Sequence, residues 1–158
     1  MIEFSEEAKR RYESILSHYP QKRAALIPVL ALAQREFGWI SDEVAEYVGT
    51  LMGYPPSDVM SVATFYTLLH KKPEGKYHME VCRNLSCWLM GAYGCVDEIK
   101  NRLGIDIGGK TPDGRFSLQL TECLGSCGTA PAMQVGDRYY ENLTPAKIGE
   151  IIEKLSHD

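Results

Sequence analysis

Four of the five cysteines of this chain fall into two close pairs. Cys82 and Cys87 form a C-x4-C pair within VCRNLSCWLM, and Cys123 and Cys127 form a C-x3-C pair within ECLGSCGTAP. In a reducing compartment, cysteines paired in this way more often bind a metal or do redox chemistry than form disulfides. These two pairs are therefore the residues to which the sequence assigns chemistry.

The two pairs suit a [2Fe–2S] cluster, which needs four thiolates around a compact inorganic core, usually as two close pairs from distant chain segments. The pattern predicts that Cys82 ends a strand and that Cys87 begins a helix. It likewise predicts that Cys123 ends a second strand and that Cys127 lies in the loop after it. If the two strands are neighbours, both pairs meet at one edge of a sheet.

Such a cluster with four thiolates is an anion and becomes more negative on reduction, so backbone N–H groups must offset its charge. Gly125 and Gly128 can turn N–H groups toward sulfur and allow the backbone to approach closely. A helix that begins at Cys87 also offers free N–H groups and a partial positive charge. The loop composition therefore favours an anionic centre.

Spacing alone leaves two alternatives open. A zinc site with four cysteines fits the same C-x4-C and C-x3-C spacing, and two buried thiol pairs without a cofactor are a third interpretation. Cys95 has no partner in the sequence and is predicted to be a small buried apolar residue.

The first third of the chain is predicted to be helical. Ser5 and Ser41 are helix N-caps, Gly38 and Gly53 are stop signals, and Pro55 with Pro56 opens a short fourth element. The polar turn KKPEG at residues 71–75 is the best boundary in the chain. It divides a helical bundle at 1–72 from a second domain at 73–158.

The second domain is predicted to contain strand, helix, strand, hairpin and helix, which suits a small sheet covered by helices. The corresponding segments are KYHMEVC, the stripe from Ala92 to Leu103, FSLQLTEC, PAMQVGDRYYEN, and a last helix that begins at Thr144 with Pro145. The predicted fold class is therefore α+β.

Composition limits the possible partners. The net charge of -4 provides no basic surface for nucleic acid or for an anionic membrane. The start has no signal-peptide core, and no window approaches about 18 uninterrupted apolar residues, so the chain is expected to be soluble and cytoplasmic.

Two other signals are discounted. GIDIGGKT at residues 104–111 matches the phosphate-binding pattern G-x-x-x-x-G-K-[ST], but a helix precedes it and a turn at Pro112 follows, whereas phosphate binding needs a strand before and a helix after. The four histidines have no ligand-like spacing. No residue is assigned a catalytic role.

The chain resembles a known family, the thioredoxin-like [2Fe–2S] subunits of respiratory NADH:quinone oxidoreductase (complex I). The similarity is carried by LIPVLALAQREFGWIS, VATFYTLL, GKYHMEVCRNLSCWLMGA and ECLGSCGTAPAMQV followed by YYENLTP, and it covers nearly the whole chain. The resemblance implies an N-terminal helical bundle followed by a thioredoxin-like domain.

The resemblance further implies one [2Fe–2S] cluster. Its ligands would be Cys82, Cys87, Cys123 and Cys127. The partner would be a larger flavoprotein that carries FMN and the NADH site, so that this chain accepts or stores single electrons during NADH oxidation without a complete active site of its own. The complex would hold it at the cytoplasmic side of the inner membrane without direct membrane contact. The same module also resembles the diaphorase part of NAD-linked hydrogenases and formate dehydrogenases.

Overall fold

The computed structural model describes residues 2–158, and these divide into two compact units. The first unit ends at Pro73 and the second begins at Glu74. Each unit has its own hydrophobic core. The first core is built from residues between Phe4 and Leu69, and the second from residues between Met79 and Leu155.

The first unit is helical. Its elements are α1 (Glu6–Ser17), a 3-10 helix (Lys22–Ala25), α2 (Leu26–Phe37), α3 (Asp42–Met52) and α4 (Pro56–Phe65). The predicted caps are confirmed: the Ser5 side chain accepts a hydrogen bond from the Ala8 N–H, and Ser41 accepts one from Val44. Gly53 ends α3 in the left-handed conformation, at φ 76°, where a side chain would be strained.

Aromatic and polar contacts fasten α1 to the rest of the first unit. Phe4 stacks on Phe37 and meets the edge of Tyr47, whose hydroxyl accepts a hydrogen bond from the Phe4 N–H at 2.9 Å. The Glu36 carboxylate accepts a hydrogen bond from the Ser5 N–H, also at 2.9 Å. Both contacts connect the start of α1 to residues far away in the sequence.

The second unit is a four-stranded sheet with helices. Its elements are β1 (Tyr77–Cys82), α5 (Leu85–Leu89), α6 (Ala92–Leu103), β2 (Phe116–Thr121), a 3-10 helix (Cys127–Thr129), β3 (Met133–Val135), β4 (Arg138–Tyr140) and α7 (Pro145–His157). The strand order is β2-β1-β3-β4. β1 and β2 are parallel, and β3 is antiparallel to both β1 and β4. The predicted order of strand, helix, strand, hairpin and helix is confirmed, although α5 begins at Leu85, two residues before the predicted helix start at Cys87.

The parallel pair of the edge strand β2 with its neighbour β1 positions the cysteines. Parallel strands need a crossover connection, which α5 and α6 supply here. Met79, Val81 and Leu118 are fully buried on these strands, where they pack in one core with Ile99 of α6 and Ile148 of α7. Since β1 and β2 run in the same direction, the loops that follow them leave the same edge of the sheet.

The end of β2 differs from the sequence-based expectation. The alternating pattern FSLQLTEC predicts a strand up to Cys123, which is wrong, because β2 ends at Thr121. Its neighbour β1 ends at Cys82, opposite Thr121, and provides no further partner. Cys123 therefore belongs to the loop that follows the strand.

Residues 104–111, which match the phosphate-binding sequence pattern, do not lie between a strand and a helix, as expected for a chance match. They follow α6, and the residues after Lys110 lead into β2 rather than into a helix.

Within residues 2–158, none of the helices has the length and apolar character needed to cross a membrane.

Candidate metal centre

The ends of β1 and β2 lie side by side, and each leads into a loop with cysteines. Cys82 is in register with Thr121, and the N–H of Arg83 donates to the Thr121 carbonyl at 3.1 Å. The side chains of Arg83 and Glu122 form an ion pair between the two loops. The sequence-based prediction that both pairs meet at one edge of the sheet is confirmed.

The first pair is buried. Cys82 is the last residue of β1, and Cys87 is the third residue of α5, whose N-cap Asn84 accepts a hydrogen bond from the Leu85 N–H. Burial raises the pKa of the Cys87 thiol to about 11, and a hydrogen bond with the Cys82 side chain adds to this rise. The backbone N–H of Ala132 acts in the opposite direction, because it donates to the Cys87 sulfur.

The second pair is exposed and closely spaced. The Sγ atoms of Cys123 and Cys127 lie 4.0 Å apart. The N–H of Gly125 donates to Cys123 Sγ at 3.4 Å, with Gly125 at φ 77°. A glycine adopts this left-handed conformation without strain, and the expected N–H donor to sulfur is therefore present.

The two pairs adjoin each other. Cys127 is close enough to contribute electrostatically to the raised pKa of Cys87. Cys95 lies apart from the site, in the buried face of α6, and burial raises the pKa of its thiol as well. None of the five cysteines forms a disulfide. The structure thus brings together the sulfurs of Cys82, Cys87, Cys123 and Cys127.

The donor set fits a metal cation or a cationic iron–sulfur core. A buried cysteine pair is unfavourable as thiolates unless a cation offsets the charge, and a bound metal deprotonates its thiol ligands. Four sulfurs with N–H donors from Gly125 and Ala132 meet the needs of a [2Fe–2S] centre. The same four sulfurs are also the ligand types of a structural zinc site.

Sequence reasoning missed a polar network around the second pair. Ser126 and Thr129 both donate their hydroxyl hydrogen bonds to Glu141 Oε1, from Thr129 at 2.6 Å. The hydroxyls lie one residue before and two residues after Cys127. Hydroxyls that are half-buried need a hydrogen-bond acceptor, but no local sequence pattern identifies which carboxylate supplies it.

Exposed apolar side chains lie next to the first pair. Leu85, Trp88, Leu89 and Met90 belong to α5 or follow it directly, and each is more than half exposed, with Trp88 at 56%. We refer to these four residues as the α5 patch. Trp88 and Leu85 also line a shallow cleft together with Arg83, Asn84 and Glu122.

An α+β unit that collects four thiols beyond the ends of two parallel strands has the arrangement typical of a cysteine-ligated metal or iron–sulfur protein. The profile of the thioredoxin-like [2Fe–2S] ferredoxin family matches residues 12–156. The chain belongs to this family. The predicted fold class is confirmed, and membership supports an electron-transfer role and an iron–sulfur cofactor.

Named relatives match over most of their length. The chain is 45% identical over 146 residues to NADH-quinone oxidoreductase subunit 2 of Thermus thermophilus, covering 90% of this chain and 81% of that protein. It is 41% identical over 147 residues to a subunit of the NADH-quinone oxidoreductase of Rhizobium meliloti, covering 93% of this chain and 88% of that protein. The sequence-based resemblance is confirmed.

A solved structure shares the fold. A chain of an NAD+-reducing [NiFe]-hydrogenase in the H2-reduced state superposes with a TM-score of 0.71 at 22% identity. The match covers 82% of this chain but only 22% of the hydrogenase chain. The chain therefore spans about a fifth of that larger polypeptide.

Proposed function

We propose that this chain is an electron-transfer subunit of an NADH:quinone oxidoreductase and that it carries one [2Fe–2S] cluster. The ligands are Cys82, Cys87, Cys123 and Cys127. The observation that carries the proposal is the convergence of these four thiols at one edge of the sheet in a member of a [2Fe–2S] ferredoxin family. The names of the relatives supply the parent complex.

Each part of the site has a distinct task. The four sulfurs hold the cluster, which when bound supplies one-electron chemistry. The N–H groups of Gly125 and Ala132 donate to the sulfurs of Cys123 and Cys87 and so offset the negative charge that collects there. The buried first pair keeps water away from one side of the site, whereas the exposed second pair leaves the other side open to a partner.

The partner in this proposal is a flavoprotein subunit that binds FMN and oxidises NADH. NADH delivers two electrons together as a hydride, whereas an iron–sulfur centre takes one at a time. This chain then accepts or stores one of those electrons. The α5 patch supports docking beside the site, since large exposed apolar groups mark interaction surfaces. Attachment through other subunits would keep the chain at the cytoplasmic side of the membrane.

Anaerobic purification followed by iron, sulfide and zinc analysis tests the cofactor. We expect about two irons and two inorganic sulfides per chain, and an EPR signal after reduction by dithionite. One zinc without sulfide and without a signal in freshly made protein would overturn the electron-transfer function and leave a zinc-stabilised interaction module.

Co-purification tests the parent complex. We expect the chain to be isolated from its native source together with an FMN-containing subunit and NADH:quinone oxidoreductase activity. Recovery with a hydrogenase or a formate dehydrogenase instead would retain the electron-transfer role and overturn the assignment to NADH:quinone oxidoreductase.

A further inference from the structure

One carboxylate lies between two hydroxyls that flank Cys127. Glu141 Oε1 accepts hydrogen bonds from the hydroxyls of Ser126 and Thr129, and these two hydroxyl oxygens are 3.1 Å apart. The three side chains are half-buried, so the network is shielded from bulk water in part. Hydrogen bonds to an ionised acceptor are roughly twice as strong as neutral ones.

The network is anchored to elements outside the cysteine loop. The Lys147 ammonium of α7 donates to the Glu141 carbonyl at 2.6 Å, and the Asn142 N–H donates to the Thr129 carbonyl at 2.7 Å. Asn142 adopts a φ of 49°, which is uncommon for a residue other than glycine. The chain at 141–142 is therefore held in a defined bend that is hydrogen-bonded to the Cys127 loop.

We propose that Glu141 is a positioning residue for the cysteine site, which fixes Cys127 by holding the hydroxyls of Ser126 and Thr129 on both sides of it. This inference rests on the proposed cluster at the four cysteines. Glu141 then has two effects: it orders the loop that carries Cys123 and Cys127, and it lowers the electron affinity of the site.

The first consequence is order. The loop that carries Cys123 and Cys127 is exposed at both cysteines, and the Gly125 N–H bond to Cys123 is a contact within the loop itself. Glu141 ties the loop on both sides of Cys127 to the segment before α7. The loop is thereby preorganised for binding even in the metal-free protein.

The second consequence is electrostatic. Because Ser126 and Thr129 direct their hydrogens to Glu141, neither hydroxyl is available to donate to sulfur. Hydrogen bonds from the two hydroxyls hold the pKa of Glu141 below its usual range, so the carboxylate is ionised at neutral pH. Hydrogen bonds to sulfur and nearby charge both set cluster potentials. The Glu141 carboxylate adds a negative charge near the cluster and takes up the hydrogens of two hydroxyls that could otherwise donate to sulfur. Both effects disfavour the added electron and therefore lower the reduction potential of the cluster.

The test compares Glu141→Gln and Glu141→Ala with the matched control Glu150→Gln, an exposed residue of α7. Amide hydrogen exchange of residues 124–129 in the metal-free protein reads loop order without a cluster. We expect several-fold faster exchange in Glu141→Ala and no change in the control. Unchanged exchange in Glu141→Ala would overturn the positioning role even if wild-type protein binds two irons as proposed.

Two measurements on the reconstituted protein complete the test. We expect several-fold faster loss of visible absorbance to an iron chelator in Glu141→Ala, and a midpoint potential shifted to more positive values in Glu141→Gln. A merely structural role would not raise the potential of the isosteric Gln variant. An unchanged or more negative potential would overturn the electrostatic part.

A double-variant cycle shows whether Glu141 acts through the hydroxyls. In a background with Ser126→Ala and Thr129→Val, we expect Glu141→Ala to add little to the rate of chelator-driven loss. An effect as large as in the wild-type background would mean that Glu141 does not act through Ser126 and Thr129. If wild-type protein contains zinc and no sulfide, the proposed function fails, while the exchange measurement still decides the ordering role.

Discussion

At the level of single residues, burial determines which cysteines chelators and oxidants can reach. Cys82 and Cys87 are covered by protein, while Cys123 and Cys127 are exposed, so chelators and oxidants reach the site from the side of the second pair. Cys95 is also covered, but it lies in the apolar face of α6, away from the site. Loss of the cofactor should therefore begin at the Cys123 and Cys127 loop.

Replacement of single cysteines tests the ligand set. We expect Cys123→Ser to lose most of its iron and its colour, because a ligand of the exposed pair is removed. Cys95→Ala should retain both, since this residue only fills a position in the core. Iron and sulfide analysis with visible spectra measures the difference. Equal loss in the two variants would contradict the assignment of the ligands.

Among the helices and strands, α1 depends on a carboxylate from α2. Glu36 accepts hydrogen bonds from Ser5, the N-cap residue of α1, and these bonds hold the pKa of Glu36 below its usual range. A depressed pKa in the folded state means that the carboxylate stabilises the fold above the pKa of the unfolded chain. This stabilisation is lost as the pH falls through the folded pKa.

The variant Glu36→Gln should therefore unfold more easily than the wild type at pH 7. The difference should shrink as the pH falls through the depressed pKa of Glu36 in the folded state, below which the wild-type carboxyl is protonated as well. Thermal unfolding, followed by circular dichroism at several pH values, measures the difference in stability. The control is Glu46→Gln, which changes an exposed residue of α3. A difference between Glu36→Gln and wild type that does not change with pH would contradict the charge-dependent contact.

The elements were predictable where their signals are local. Ser41 and Gly53 begin and end α3 because a hydroxyl cap and a left-handed glycine act within a few residues of themselves. The end of β2 was mispredicted because strand length depends on the neighbouring strand, which stops at Cys82. The Glu141 network lay beyond prediction, since its partners are 12 and 15 residues away in sequence and no periodicity connects them.

Across the molecule as a whole, the two units have separate cores. The core residues of the first unit end at Leu69, and those of the second begin at Met79. A fragment of residues 74–158 has its complete sheet and all four candidate ligands. We expect this fragment to unfold cooperatively and to bind iron and sulfide after reconstitution. A fragment without a cooperative transition would show that the second core needs the first unit.

Association with the partner should depend on the α5 patch. We expect Trp88→Ala to weaken binding to the flavoprotein subunit roughly tenfold or more, because exposed tryptophans often dominate the energy of an interface. The matched control is Ile107→Ala, which removes another exposed apolar side chain of the second unit, 42% exposed. Titration of the labelled protein with the partner measures both dissociation constants, at equal iron content. Equal affinity of the two variants would contradict docking through the patch.

Because the four cysteines meet only where β1 pairs with β2, the site can form only after both strands have been synthesised. The first cysteine pair is synthesised before α6 and β2, and its partners at Cys123 and Cys127 follow only after β2. Non-local pairing of this kind is slow to form, because the intervening chain must be closed into a loop first. A nascent chain therefore carries two thiols without a complete site. Iron and sulfide can be bound by all four cysteines only after β1 and β2 have paired.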